Sequence, residues 1–383
     1  MSAKRLRIAV NALSAVSGGG TSYLEGFLPA LAEVDTWNEY ILLRAPWQDY
    51  LPPAPGANFR WLTCPIRKQS AFARYLFEQT SLVPILRRER IDVLYATAEL
   101  ATLAAPCPVV LCLRNLNAYS LRWQLGWNYW KRSMVLRELA RLSAWRAERV
   151  IFISEISRGI IAKKLHIPAR KTVVIHHGTS PAFRAAARRE GIAPATWVKR
   201  PYLLSVSQIR QHKNYPRLVE AFISLVRPGT ACDFDLVILG AIEDAAAGAR
   251  MRELIRGAGM EDRIHLPGAV PHQELPAWYA GATLFVFPSL LETFGLPLVE
   301  AMASGLPVVA ANAPAIPEIV GDAGIYFDPW SPESMASAIR QVLDDRSLAG
   351  ELSRRSIERA RQFSWVEGAR QTVRVFEEAS RRG

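Results

Sequence analysis

The sequence has only four cysteines, Cys64, Cys107, Cys112 and Cys232, and none stands in a CxxC or other metal-ligand spacing. Scattered in apolar surroundings, they suit buried, reduced thiols of a cytoplasmic protein, so neither a disulfide nor a structural zinc is expected. Long apolar runs are missing as well. The most apolar stretch, ATLAAPCPVVLCL (101–113), is broken by Pro106 and Pro108 and falls well short of the ~20 residues that a membrane-spanning helix needs. The basic opening MSAKRLRIAV runs straight into a strand-like segment without an apolar signal region or a small-residue cleavage site, so no secretion signal is expected. Acidic residues are also in deficit: 35 Asp and Glu against 47 Lys and Arg leave a formal charge of +12. Nucleic acid, an anionic membrane surface and a phosphorylated substrate would each answer that charge. No recognised nucleic-acid-binding motif accompanies it, so a non-enzymatic nucleic-acid binder rests on charge alone.

What is present is material for cores. Half of the 383 residues are hydrophobic and 21% are charged, which argues for a globular chain of two ordinary domains. Short apolar runs alternate with helical periodicity. Candidate strands are LRIAVNA (6–12), YILLR (40–44), FRWLT (59–63), DVLYA (92–96), VVLCL (109–113), RVIFIS (149–154) and TVVIHH (172–177). Between them lie patterns of period 3.6 such as SYLEGFLPALAEV (22–34) and EISRGIIAKKL (155–165). After a charged stretch expected to be irregular (180–200) the alternation restarts with YLLSVS (202–207), DLVILG (235–240), RIHLPG (263–268), TLFVFPS (283–289), PVVAA (307–311) and GIYFD (324–328). Continuous apolar strands alternating with helices predict parallel sheets covered on both faces. The fold class is therefore α/β, with two doubly wound Rossmann-like domains, 1–185 and 200–362, facing across a cleft where ligands meet strand carboxyl ends. The closing helix, 363–383, is expected to pack back onto the first domain.

Two carboxylates stand out in PSLLETFGLPLVEAMASGLPVVAAN (288–312). Glu292 follows a buried strand. Pro297 suits the first turn of a helix, which puts Glu300 near that helix's start, expected in its first turn. A helix N-terminus suits phosphate, so carboxylates placed there are matched instead to hydroxyls, and a sugar diol can donate two hydrogen bonds to one carboxylate. Spacing alone leaves the alternative that Glu300 merely complements the helix dipole and Glu292 is a solvated loop acid.

FPSLLETFGLPLVEAMASGLPVVAAN resembles the signature of family 4 (group 1) glycosyltransferases, retaining enzymes of the GT-B architecture that use nucleotide-sugar donors. Glu292 and Glu300 match the family's Glu-x7-Glu, and Phe294, Gly295, Leu296 and Pro297 match the residues between. The likeness extends through YLLSVSQIRQHKN (202–214), ELPAWYAGA (274–282), IPEIVGDAGIYFDP (316–329) and FSWVEGARQTVRVFEEA (363–379), dense in the second half and thin in the first. The resemblance implies that Glu300 accepts hydrogen bonds from the nucleotide ribose, that Glu292 contacts the donor sugar, and that Lys213 neutralises the diphosphate. Phe294, Gly295 and Leu296 then belong to the donor site. Where the family often has Gly then Arg, this chain has Ser207 and Gln208, leaving Arg210 or His212 as the second phosphate cation. It implies a metal-independent transferase without cofactor, acting on a UDP-, GDP- or ADP-sugar and a glycan, lipid-linked or polysaccharide acceptor, with a nucleotide-sugar epimerase of related architecture as the alternative. Asp233 and Asp235, in DFD, resemble a metal-binding pair of another architecture but precede a strand, so they are expected to be a solvated strand entry.

In the first domain GGGTSYLEG (18–26) follows a strand and opens a helix, and the resemblance aims Gly19 and Gly20 at the donor. After VVLCL, where many relatives carry His-Asp, this chain has Arg114 and Asn115; an arginine cannot act as a base but can hold a phosphate or carboxylate, or pair with a neighbouring acid. His176 and His177 are expected to pack at the domain exit. Finally, 121–150 carries seven basic residues, Arg122, Lys131, Arg132, Arg137, Arg141, Arg146 and Arg149, among four tryptophans, Trp123, Trp127, Trp130 and Trp145. Val135, Leu136, Leu139, Leu142 and Ala147 are expected to form a core stripe, with the tryptophans packed inside. The basic edge would then face an anionic membrane, making the protein cytoplasmic and peripheral at the inner membrane face.

Overall fold

The computed structural model describes residues 4–16, 19–116, 119, 127–188, 198, 200–226 and 233–381, the side chains of 127–132 excepted. The chain divides into two compact units, 1–178 with 364–383, and 179–363.

The first unit holds a seven-stranded parallel sheet in the order β3-β2-β1-β4-β5-β6-β7. Its strands are β1 (Arg7–Asn11), β2 (Glu39–Arg44), β3 (Phe59–Thr63), β4 (Val93–Ala96), β5 (Val109–Leu113), β6 (Arg149–Phe152) and β7 (Thr172–Val174). The helices are α1 (Gly19–Val34), α2 (Ala71–Gln79), α3 (Leu82–Arg88), α4 (Trp127–Arg146) and α5 (Glu155–Leu165). The central strands β4 and β5 are buried at every residue because helices cover both faces, which is why they read as unbroken apolar runs.

The second unit opens with α6 (Pro181–Arg188), so the stretch expected to be irregular begins as a helix. Phe183 and Ala186 are buried where α6 packs on later helices of the same unit. Six parallel strands follow in the order β10-β9-β8-β11-β12-β13. They are β8 (Tyr202–Val206), β9 (Asp235–Leu239), β10 (Ile264–Gly268), β11 (Leu284–Phe287), β12 (Val308–Ala311) and β13 (Gly324–Phe327). Between and after them run α7 (Tyr215–Leu225), α8 (Ala245–Gly257), α9 (Leu275–Gly281), α10 (Leu296–Ala303), α11 (Ile316–Val320), α12 (Pro332–Asp344) and α13 (Arg346–Ala360).

The last helix, α14 (Trp365–Ser380), belongs to the first unit and packs along α1. Trp365 meets Tyr23 there edge-on and His177 at a tilt, with ring centres 5.7 and 5.1 Å away. His177 is buried between these rings, so its imidazole is pushed well below the usual range by desolvation, then by Arg114 and His176. It is a packing residue.

Two expectations fail on burial. Val135 and Leu142 of α4 are 59% and 44% exposed and Trp145 is 79% exposed, so the apolar stripe is not all core and this tryptophan does not pack inside. Arg146 and Arg149 face inward instead: Arg146 donates to the carbonyls of Leu103, Ala105 and Cys107, and Arg149 pairs with Glu378 of α14. Arg122 and Trp123, and the side chains of Trp127, Trp130, Lys131 and Arg132, lie outside the described residues. The strand entry at Asp235 is not solvated either. Asp235 is 2% exposed and accepts from Arg263 at 3.1 Å and pairs with His265 at 3.0 Å, an ion cluster at the amino end of β9. Cys64, Cys107 and Cys112 are free and buried, with thiols pushed up to about 12, 12 and 11 by desolvation; Cys232 lies outside the described residues. Among the described residues no helix is long and apolar enough to cross a membrane.

Candidate active site

At the carboxyl ends of β8, β11 and β13 three loops are stapled together by one residue. Asn214 caps the start of α7 in the left-handed conformation (φ 62°) and its buried amide donates to the carbonyls of Pro288 (3.1 Å) and Pro329 (2.7 Å). The Leu290 N–H adds a bond to the His212 carbonyl at 2.8 Å. Left-handed backbone suits Asn better than most side chains, which explains this residue type at this turn.

The staple fixes the single 3-10 turn Gln211–Lys213 against the loop after β11, and so brings Lys213 to Glu292. Their Nζ and Oε1 lie 2.5 Å apart, with the side chains 16% and 11% exposed. Phe287 closes the other side, its ring centre 5.7 Å from the ammonium. A mostly desolvated ion pair is held tightly, and removing one partner leaves the other charge stranded.

His212, on the same turn, is largely buried. Desolvation, then the neighbouring Lys213, pushes its imidazole down to about 4, with Arg210 adding to the effect and Glu292 opposing it. In the unfolded chain the ring titrates near 6.5. The unfolded chain therefore takes up a proton that the folded chain refuses until about pH 4. Stability from this group is full above 6.5 and is lost as pH falls through that window, by roughly 3 kcal/mol in all. His212→Asn is expected to flatten the fall in urea-unfolding stability between pH 6.5 and 4; an unchanged slope would contradict the assignment.

Glu300 occupies a different place from the one expected. Gly295 caps α10, so Pro297 is the second helical residue and Glu300 lies in the second turn, beyond the free N–H groups of the helix start. It is 5% exposed. Its Oε2 accepts from the Tyr279 hydroxyl at 3.0 Å and its Oε1 lies 3.2 Å from His272 Nε2. Tyr279 and His272 are in turn wedged by Phe183 of α6, with ring centres at 5.4 and 5.7 Å. Glu300 is thus a held, half-committed acceptor, with lone pairs left on both oxygens.

The remaining donor-site candidates divide. Ser207 follows β8 and shares a 2.7 Å hydrogen bond with the Tyr215 hydroxyl. Its carbonyl lies against Gly240, whose φ of +149° and lack of a Cβ allow the loops after β8 and β9 to touch; a Cβ there would sit 1.9 Å from the Ser207 oxygen. Gln208 is half-buried and Arg210 is exposed, 3.8 Å from Glu243 across the same two loops. Phe294 is core, edge-on to Phe363 at 5.6 Å, while Gly295 is buried and Leu296 half-buried at the helix start. Sequence reasoning missed Asn214, His272, Tyr279 and Gly240. Tyr279 lies within ELPAWYAGA, yet nothing local says its hydroxyl meets residue 300.

In the first unit Gly19 is exposed and Gly20 half-buried at the start of α1; Gly18 lies outside the described residues. Arg114 extends over the Tyr23 ring, its Cζ 4.4 Å from the centre, and among the described residues no carboxylate pairs with it. Its Nε is buried without a hydrogen-bond partner. Tyr23 is anchored by a 2.7 Å bond to the Tyr95 hydroxyl.

The profile of glycosyl transferases group 1 matches residues 190–363, and that of glycosyltransferase family 4 matches residues 17–183. The chain belongs to the group 1, family 4 glycosyltransferases. Its two parallel-sheet units are those of the GT-B fold. O-antigen chain mannosyltransferase B of Escherichia coli is 31% identical over 237 residues, which are 60% of this chain and 60% of that protein. The chain spans about 40 to 60% of the length of the first curated relatives it matches. Sucrose-phosphate synthase of Thermosynechococcus elongatus superposes with a TM-score of 0.80 at 18% identity, covering 99% of this chain and 100% of that one. Anabaena HepE, solved with UDP-glucose, gives 0.74 at 20% identity over 98% and 100%.

Proposed function

We propose that the protein is a retaining, metal-independent glycosyltransferase that moves a sugar from a nucleotide-sugar donor to a glycan, lipid-linked or polysaccharide acceptor. The observation that carries this reading is the Lys213–Glu292 pair on loops stapled by Asn214, one helical segment before the buried Glu300. In this reading Glu300 accepts from the ribose hydroxyls, its carboxylate already oriented by Tyr279 and His272. Lys213 meets the diphosphate and offsets the charge that grows on it as the sugar departs. Glu292, paired with that lysine, contacts the sugar hydroxyls. Arg114, with its buried unpartnered Nε, supplies a further cation in the place where many relatives carry a histidine. Ser207, Gln208, Arg210, Gly19 and Gly20 complete the donor contacts, and Gly295 and Leu296 shape the start of α10.

Retention follows from a front-face path. The acceptor hydroxyl attacks the face from which the phosphate leaves, and the departing phosphate oxygen takes its proton. No side-chain nucleophile is required.

Two relatives support this reading: the Anabaena protein was solved with UDP-glucose, which favours a sugar donor attached to a nucleotide, and the Escherichia coli relative is an O-antigen chain mannosyltransferase, which favours a polysaccharide acceptor. The test is release of free nucleoside diphosphate from UDP-, GDP- and ADP-sugars with and without an acceptor mixture. Release that depends on acceptor is expected. Interconversion of the nucleotide sugar without release would establish the epimerase instead.

A peripheral membrane role rests on the outer face of α4, where Val135, Leu142 and Trp145 are exposed beside Arg141, together with the net charge of +12. Indoles settle at the headgroup level and each cation near an anionic surface adds about 1 kcal/mol. Salt-sensitive sedimentation with phosphatidylglycerol vesicles is expected, weakened several-fold by Trp145→Ala with Arg137→Glu and Arg141→Glu. Sedimentation unaffected by those changes would remove this role.

A further inference from the structure

At the start of a helix an asparagine oxygen ordinarily accepts from an N–H of the first turn. The Asn214 side chain makes no such bond, although the residue caps α7. Its Oδ1 accepts instead from Arg217 Nη1, on α7 itself, at 2.8 Å. Both ends of the buried amide are therefore engaged: Nδ2 by the carbonyls of Pro288 and Pro329, Oδ1 by the guanidinium. An arginine only donates, so it can face the amide oxygen and not the NH2 group. Turned over, the amide would set its oxygen against two carbonyls and its NH2 against a cation.

Arg217 is held in turn. Its Cζ lies 4.9 Å from the centre of the Trp330 ring, a distance at which the indole face attracts a cation. Trp330 is 49% exposed and directly follows Pro329, whose carbonyl Asn214 binds. Its backbone N–H donates to Asp328 Oδ1 at 2.9 Å, which fixes the turn after β13. The contacts close a ring within the second unit, from the Pro329 carbonyl through the Asn214 amide and the Arg217 guanidinium to the indole of the next residue.

We propose that Arg217 and Trp330 are positioning residues of the donor site: together they lock the Asn214 amide in the orientation that staples the loops after β8, β11 and β13, and so set Lys213 against Glu292. The proposal rests on the transferase reading above and deepens it. Without Arg217, the Asn214 oxygen is free to take the ordinary capping role on α7, which draws Nδ2 away from both carbonyls and loosens the turn that carries Lys213. Without the indole, the guanidinium is released to water. Arg217 thus acts through Asn214, and Trp330 through Arg217. A cation on the helix that follows Lys213 could instead bind the donor phosphate itself, and the two roles predict different results.

Two readouts on the full chain separate them. The first is hydrogen exchange of the Asn214 side-chain amide, followed by NMR and assigned by selective labelling of the chain's single Lys-Asn step, residues 213–214. Arg217→Ala and Trp330→Ala are each expected to speed that exchange at least about fivefold, and Trp330→Phe, which keeps an aromatic face, to leave it within about twofold of wild type. The second is donor affinity by saturation-transfer NMR with UDP-glucose, GDP-mannose and ADP-glucose. Arg217→Ala should weaken the nucleotide sugar that binds by at least about fivefold in the wild-type background and by less than about twofold in Lys213→Ala, because Lys213 carries the effect. The same loss in both backgrounds would make Arg217 a direct phosphate ligand and overturn the proposal; so would unchanged amide exchange or unchanged donor affinity in Arg217→Ala. A wild-type protein that binds none of the nucleotide sugars while its Asn214 amide responds as expected would refute the transferase reading, and the donor role of this clamp with it. Failure of the positioning role alone would leave wild-type donor binding intact.

Discussion

Lys213→Ala is expected to lower kcat/KM for the nucleotide sugar by about 10²–10³-fold, the range for removing one preorganised charge from a developing anion. Two effects combine. The diphosphate loses its cation, and Glu292, 11% exposed and formerly 2.5 Å from the ammonium, is left as an unpaired negative charge on the same loops. The second effect is separable. In Lys213→Ala/Glu292→Gln the stranded carboxylate is gone, so donor affinity should recover part of the loss, by about 1 kcal/mol or more, even though turnover does not. Glu292→Gln alone should chiefly lower kcat, because its partner sugar is the reacting group, and Glu300→Gln should chiefly weaken donor binding. Calorimetric donor titrations of the four variants check this; strictly additive losses, or equal losses of turnover with unchanged donor affinity, would separate Lys213 and Glu292 from the roles assigned to them.

Gly240→Ala is expected to be the most damaging small change in the second unit. Its φ of +149° is one that L side chains rarely adopt, and the new Cβ would meet the Ser207 carbonyl at 1.9 Å, backbone that cannot swing aside. Strain and overpacking each cost about 1–3 kcal/mol, so a loss of about 3–5 kcal/mol is expected in the unfolding transition of that unit. Gly259→Ala is the control. That residue also has positive φ (+62°) but open space around it, so only the left-handed penalty of about 1–2 kcal/mol applies. Equal destabilisation by the two changes would mean that the approach of the β8 and β9 loops is not what Gly240 serves.

Much of the fold was legible because the parallel strands are buried on both faces. VVLCL and FRWLT are strands at the residues read from sequence, and EISRGIIAKKL is α5 to the residue. What failed depended on contacts between distant segments. The Glu300 carboxylate was read from spacing as a first-turn residue, yet the cap at Gly295 moves it a turn along, and Tyr279 and His272, 21 and 28 residues away, decide its orientation. Asp235 looked solvated because its partners, Arg263 and His265, arrive just before and on the next strand. Periodicity also misjudged α4: Val135 and Leu142 fit an apolar stripe, but a stripe says nothing about which face meets the sheet.

The most direct test of the donor site is a thermal-unfolding screen of the wild-type chain and Lys213→Ala with UDP-, GDP- and ADP-sugars. At 100 times its dissociation constant a true donor should stabilise the wild-type protein by about 2.7 kcal/mol, and the same concentration should do far less for the variant. Stabilisation of both proteins alike, or of neither by any nucleotide sugar, would contradict the assignment of this site.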